Sequence, residues 1–226
     1  MTFQRLRAML RGGRLPGTGV LLSVLLAAAL WANTDWDRLR QLALQRYGQG
    51  AADVVVNWRR MVTEGAGATD RERLERVNTF FNRQVTFESD QIVWGQPDYW
   101  ATPLEFIGKR MGDCEDYAIA KYMTLRMMGV GNEQLRLIYV RARTGSTATE
   151  AHMVLGYYPK PTEEPLILDN LIGSVRPASQ RSDLSPVFSF NAEGLWVGGA
   201  ATSSADPTAR LSRWRDVLER MRADGL

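Results

Sequence analysis

The chain holds very little of the two residue types most often used for nucleophilic chemistry: one cysteine and one histidine in 226 residues. A lone thiol excludes an internal disulfide, so an oxidising compartment would leave it free to react. Charge of one sign is scarce as well. The formal net charge is +3, yet Arg5, Arg7, Arg11 and Arg14 lie in residues 1–14 with no acid among them. Without those four, 24 basic residues (28 less 4) face 25 acidic ones. No basic patch remains to argue for nucleic acid. Internal repeats are missing too, and at 45% hydrophobic the chain can bury a core of its own.

The charge that is present is concentrated where it carries a message. The basic start is followed by an uncharged apolar run, Val20 to Leu30, which are the n-region and h-region of a secretory signal. Leu30-Trp31-Ala32 is a poor small-x-small cleavage site, and the 20 uncharged residues from Leu15 to Thr34 would also suffice for a retained anchor. Residues 1–32 are therefore expected to be a signal peptide or N-terminal anchor, with residues 33–226 a single domain outside the cytoplasm.

Within that body, residues 35–60 read as helical with a break at Gly48-Gln49-Gly50, and Glu64–Gly67 reads as a linker. Thr69-Asp70-Arg71-Glu72 forms a capping box for a helix bearing Leu74, Val77, Phe80 and Phe81 on one face. Residues 85–111 are aromatic-rich and interrupted by Gly95, Pro97 and Pro103, an irregular segment suited either to walling a cleft or to plugging the core. A helix is expected from Cys114 to Met128 with Gly129 just past its end. Strands follow at 134–143, 151–158, 165–169, 187–190 and 195–197. Asp206-Pro207 then starts a last helix with Leu211, Trp214, Leu218 and Met221 on one side. The connections between strands are too short for crossovers, so the fold class is α+β with an antiparallel sheet.

Gly112-Asp113-Cys114-Glu115-Asp116 places the one thiol at a helix start. His152 lies 38 positions downstream in a strand-like run, and Asp169 follows 17 positions later. A thiol, an imidazole and a carboxylate are the parts of a cysteine nucleophile, its base and the group that orients the base. If the two strands pair as a hairpin with His152 opposite Asp169, paired numbers sum to 321 and the turn falls at 159–162. The helix N-terminus lowers a thiol pKa, and its free N–H groups can donate to an oxyanion. Asp113, Glu115 and Asp116 oppose a thiolate by like-charge repulsion. Something must neutralise them, and hard oxygen ligands select calcium or magnesium over zinc.

Several stretches carry a family resemblance: Trp100-Ala101-Thr102-Pro103-Leu104-Glu105-Phe106, Gly112 to Ala118, Ala151-His152-Met153-Val154-Leu155 and Leu168-Asp169-Asn170. With Pro177 to Arg181, Phe190-Asn191 and Gly194-Leu195-Trp196, the chain resembles the bacterial transglutaminase-like cysteine proteinases of the LapG type over roughly residues 70–197. The resemblance implies a papain-like, transglutaminase-like core with Cys114 as nucleophile, His152 as base and Asp169 as orienting carboxylate. It implies calcium (Ca2+) dependence, with Asp113 and Glu115 as matching ligands and Asp98 and Asp116 as further candidates. It also implies a periplasmic location and cleavage of a large surface adhesin near its N-terminus at an Ala-Ala site, which disperses biofilm. An inner-membrane cyclic di-GMP receptor is expected to sequester the protease. No motif covers residues 198–226. A transamidase on the same three residues and a non-catalytic binding module are the alternatives. Product analysis separates the first, and the effect of Cys114→Ser separates the second.

Overall fold

Residues 34–145, 148–198, 200 and 202–226 are described in the computed structural model. The signal or anchor expected at residues 1–32 lies outside them. Among the described residues no helix is long and apolar enough to cross a membrane.

The first helix among the described residues, α1 (Trp36–Tyr47), starts where the Asp35 carboxylate accepts from the Arg38 N–H, 2.9 Å. It stops at Gly48, whose φ of 87° suits glycine, as the Gly-Gln-Gly break predicts. Helix α2 (Gln49–Gly65) runs further than expected and takes in Glu64 and Gly65. The reason is contact: a Cβ at Gly65 would lie 2.1 Å from Met128 Cε, so the bare glycine lets the helix pass close to its neighbour. Helix α3 (Asp70–Gln84) has the predicted capping box, with Thr69 and Glu72 bonded reciprocally. Its buried side chains are Leu74, Val77, Asn78 and Phe81, while Phe80 is only half-buried.

The segment expected to be irregular is more ordered than its composition suggests. It contains α4 (Asp90–Val93), α5 (Pro103–Lys109) and two short parallel-paired strands, β1 (Thr86–Phe87) and β2 (Met111–Gly112). Pro103 reads as a breaker in sequence, yet it occupies the first turn of α5, where its missing N–H costs nothing. Thr102 and Glu105 close a second capping box there, at 2.8 and 3.2 Å.

Helix α6 (Cys114–Met127) is the axis of the fold. Every residue from Glu115 to Leu125 is buried, so it has no solvent face and shows no amphipathic stripe. It packs on α3, on α5 and on the sheet. The sheet is antiparallel, in the order β6-β5-β4-β3-β7-β8. Its strands are β3 (Leu135–Thr144), β4 (Ala148–Tyr157), β5 (Leu166–Leu168), β6 (Arg176–Pro177), β7 (Leu184–Phe190) and β8 (Leu195–Val197). The α+β class and the antiparallel sheet are as the strand spacing predicts.

The C-terminal stretch that matches no motif proves to be part of the core. After α7 (Pro207–Arg210) the chain breaks at Leu211, and α8 (Ser212–Asp224) buries Trp214, Val217 and Met221 in place of the expected row through Leu211 and Leu218. The Trp214 ring meets Phe190 at 5.5 Å and Tyr122 at 5.8 Å, and its Nε1–H donates to the Asn191 carbonyl.

Candidate active site

Cys114 is the first residue of α6, behind Asp113 as N-cap. Asp113 makes no side-chain cap bond, so its carboxylate does not satisfy the helix N–H groups. The thiol contacts Glu115 Oε2 at 3.1 Å, α6 packs against β4, and the backbone of Met153 in β4 acts on the thiol in favour of its charged form. The nucleophile candidate therefore opens the helix that packs on the strand carrying His152.

His152 and Asp169 meet, though not in the register expected. β4 and β5 pair Leu155 with Leu168 and Gly156 with Ile167, sums of 323 where 321 was expected. A shift of two residues preserves the faces of both strands. Asp169, just past the end of β5, thus reaches His152 diagonally, and His152 Nε2 lies 2.8 Å from Asp169 Oδ1. Both side chains are nearly or fully buried. With Nε2 committed, Nδ1 is the nitrogen left for another partner.

Asp169 is well supplied with donors. The Leu171 N–H reaches Oδ1 at 3.1 Å, and Arg181 Nη2 reaches Oδ2 at 2.6 Å. Burial raises the Asp169 pKa, but the bonds and charges of His152 and Arg181 outweigh it and hold the carboxyl at about 2. Lys121, one helical face further along α6, is fully buried, with Nζ bonded to no group among the described residues. Burial lowers its pKa to about 7, against the attraction of Asp169.

The acids around the thiol have the opposite character. Oxygens of Asp90, Asp113 and Asp116 lie within 4.8 Å of one another, as do those of Asp90, Asp98 and Glu115. Asp113 and Glu115 also group with the Cys114 sulfur. Asp116 Oδ1 accepts the Ala101 N–H at 2.7 Å and Asp90 Oδ2 that of Tyr99. Asp90 Oδ1, Asp113 Oδ1 and Asp116 Oδ2 are buried without a hydrogen-bond partner among the described residues. Burial, then Glu115, pushes Asp113 up to about 9, and burial pushes Asp90 up to about 6. Asp116 and Glu115 are also raised, chiefly by burial. Burial, then Glu115 and Asp113, pushes the Cys114 thiol far above its ordinary value. Crowded carboxylates with one oxygen at each of Asp90, Asp113 and Asp116 that meets no donor among the described residues are a donor set that fits a hard divalent ion.

The structure thus gathers Asp113, Glu115, Asp116 and Asp98, the last exposed and paired with Arg213 at 2.9 Å. It adds Asp90, which the sequence reading missed. Only Asp90's position in the same loop segment as Asp98 hinted at it. Arg181 was visible as part of a motif but had no assigned partner.

The model of the family described as bacterial transglutaminase-like cysteine proteinase matches residues 51–184. Three solved structures of Legionella pneumophila LapG are each 41% identical and cover 82% of this chain. One has a TM-score of 0.71 and is covered over 97% of its own length. The EGTA-treated form scores 0.72 over 97%, and the calcium-bound form 0.70 over 98%. No curated protein matches.

Proposed function

Because the chain belongs to the bacterial transglutaminase-like cysteine proteinases and is a cysteine peptidase, we propose that Cys114, His152 and Asp169 are its catalytic triad, in a calcium-dependent endopeptidase. One observation carries the reading: the thiol opens α6, the helix packed on β4, and His152 of β4 is tied through Nε2 to Asp169 at 2.8 Å. The free Nδ1 of His152 takes the thiol proton as Sγ attacks the scissile carbonyl. The same nitrogen then protonates the leaving amine, and water activated by His152 releases the acyl group. Asp169 holds the ring throughout and stabilises the imidazolium. The Cys114 N–H, at the helix start, is positioned to donate to the oxyanion.

Calcium would be held by Asp113 and Glu115 with Asp90, Asp98 and Asp116, and when bound it would supply positive charge beyond what Arg213 brings to Asp98. The calcium-bound and EGTA-treated forms of the Legionella protein support calcium as the ion. The family resemblance supports the finer reading: a periplasmic enzyme that cuts a large surface adhesin at an Ala-Ala site, releases it from the biofilm and is sequestered by an inner-membrane cyclic di-GMP receptor.

The direct test needs no substrate. The iodoacetamide alkylation rate of Cys114 is followed against pH with calcium, with EGTA, and in His152→Ala. Fast alkylation well below pH 8 with calcium, slowed by EGTA and by His152→Ala, is expected. An ordinary thiol profile indifferent to both would overturn the catalytic reading and favour a binding module.

A further inference from the structure

Arg181 is a buried cation that the triad chemistry leaves without a role. Its side chain is 1% exposed. It sits just after a short 3-10 turn (Ala178–Gln180), with its own N–H bonded to the Ala178 carbonyl. Nε and Nη2 grip Asp183 at 3.0 and 2.8 Å, and Nη2 also reaches Asp169 Oδ2 at 2.6 Å. The planar fork is thus seated from outside by Asp183 and presses one nitrogen on the carboxylate that holds His152.

We propose that Arg181 is a positioning residue of the peptidase reaction: by engaging Asp169 Oδ2 it keeps that carboxylate a pure acceptor toward His152 Nε2, leaving the Nδ1 lone pair for Cys114. The inference rests on the triad reading.

The logic is that of tautomers. An ionised carboxylate can only accept, so Nε2 must carry the proton and Nδ1 must be the base. A protonated Asp169 could donate to Nε2 and move the ring proton to Nδ1. An N–H would then face the thiol, and nothing could take its proton. Burial drives Asp169 toward that neutral form, and the groups that oppose it are few. His152 in β4 and the Leu171 N–H share Oδ1, Lys121 in α6 acts only through its field, and Asp183 adds a negative charge behind Arg181. Arg181 alone among these is a permanent cation bonded to Oδ2.

His152 is the single histidine of the sequence, so one imidazole reports the tautomer without assignment. The experiment uses the calcium-loaded full chain without a histidine tag, labelled with 15N-histidine. Wild type is compared with Arg181→Met, Arg181→Lys and Asp183→Asn. Wild type should show the Nε2–H form. Arg181→Met should gain Nδ1–H form, and its Cys114 alkylation by iodoacetamide at neutral pH should slow about 10- to 100-fold. Arg181→Lys, which keeps the charge, should recover part of the rate, and Asp183→Asn should show a smaller effect of the same kind.

A folded Arg181→Met with wild-type tautomer and a rate within about twofold would overturn the proposal. Should that variant fail to fold, the same result in both Arg181→Lys and Asp183→Asn would overturn it. Failure of the triad reading looks different, since wild-type alkylation would then be slow and indifferent to His152→Ala.

Discussion

Asp169 and Asp113 are both aspartates withdrawn from water beside the proposed site, yet one is held at about 2 and the other is pushed to about 9. Burial raises both. The difference is in what the chain places opposite them. Asp169 receives His152, Arg181 and a backbone N–H, and every donor is covalently part of the protein. Asp113 faces Glu115 and Asp98, and one of its oxygens has no partner among the described residues. The first corner is complete when the chain folds, while the second keeps unpartnered oxygens that a cation from solution would satisfy. A cation in the chain makes orientation permanent, and a cation from solution makes it conditional.

The largest loss of activity is expected at the complete corner. Asp169→Asn presents an amide that can donate to His152 and reverse its tautomer. Peptidase kcat should fall on the order of 1,000-fold or more, while calcium affinity measured by calorimetry stays near wild type. An equal loss of calcium binding would mean that the two corners are not separate.

Titration should separate the two corners next. In EGTA, a carboxyl whose folded pKa is raised contributes stability that is full below its unfolded value and is lost as pH rises through its folded one. The melting temperature in EGTA should therefore decline from about pH 4 upward, through about 6 for Asp90 and on to about 9 for Asp113. Calcium should flatten that decline, and Asp113→Asn should remove its upper part. Asp169 works with the opposite sign: its contribution is full above the unfolded value near 3.8 and is lost as pH falls through about 2. Melting curves that are the same with and without EGTA would argue against a cation among these acids.

The smallest effect belongs to Lys121, the one cation of α6 that lies near the complete corner without bonding to it. Lys121→Met should stabilise the fold by about 1–2 kcal/mol at neutral pH. The folded pKa of the lysine is depressed to about 7, so wild-type stability rises with pH toward 10.5 and the gain of the variant shrinks over that range. Urea unfolding at pH 7 and pH 10 measures it. A destabilised variant would show that Lys121 supports Asp169 more than its burial costs.

How much of this was legible depended on whether the signal was local. Thr69 with Glu72, Gly48 and Gly129 act within a turn of themselves, and the structure places them as the sequence predicts. The face shared by His152 and Asp169 was legible too, because a period of two survives a register error of two. The register itself was not, since five residues of β5 were expected and three form. Pro103 misled because one residue type both breaks helices and begins them. Asp90 and Arg181 act through partners far away in sequence (Arg181 and Asp169 are 12 positions apart), and no local pattern marks such pairs.

The last helix has a consequence in time. α8 ties the beginning of the described chain to the segment before Cys114: Arg46 bonds Asp224, Arg38 bonds the Ala223 carbonyl, and Arg220 reaches both Glu105 and the Trp100 carbonyl. A chain emerges from the ribosome N-terminus first, so Cys114, His152 and Asp169 are all synthesised before the segment that braces their surroundings. The half-made protein carries its proposed nucleophile but lacks the clasp, and a chain broken off early would be a peptidase that never finished assembling.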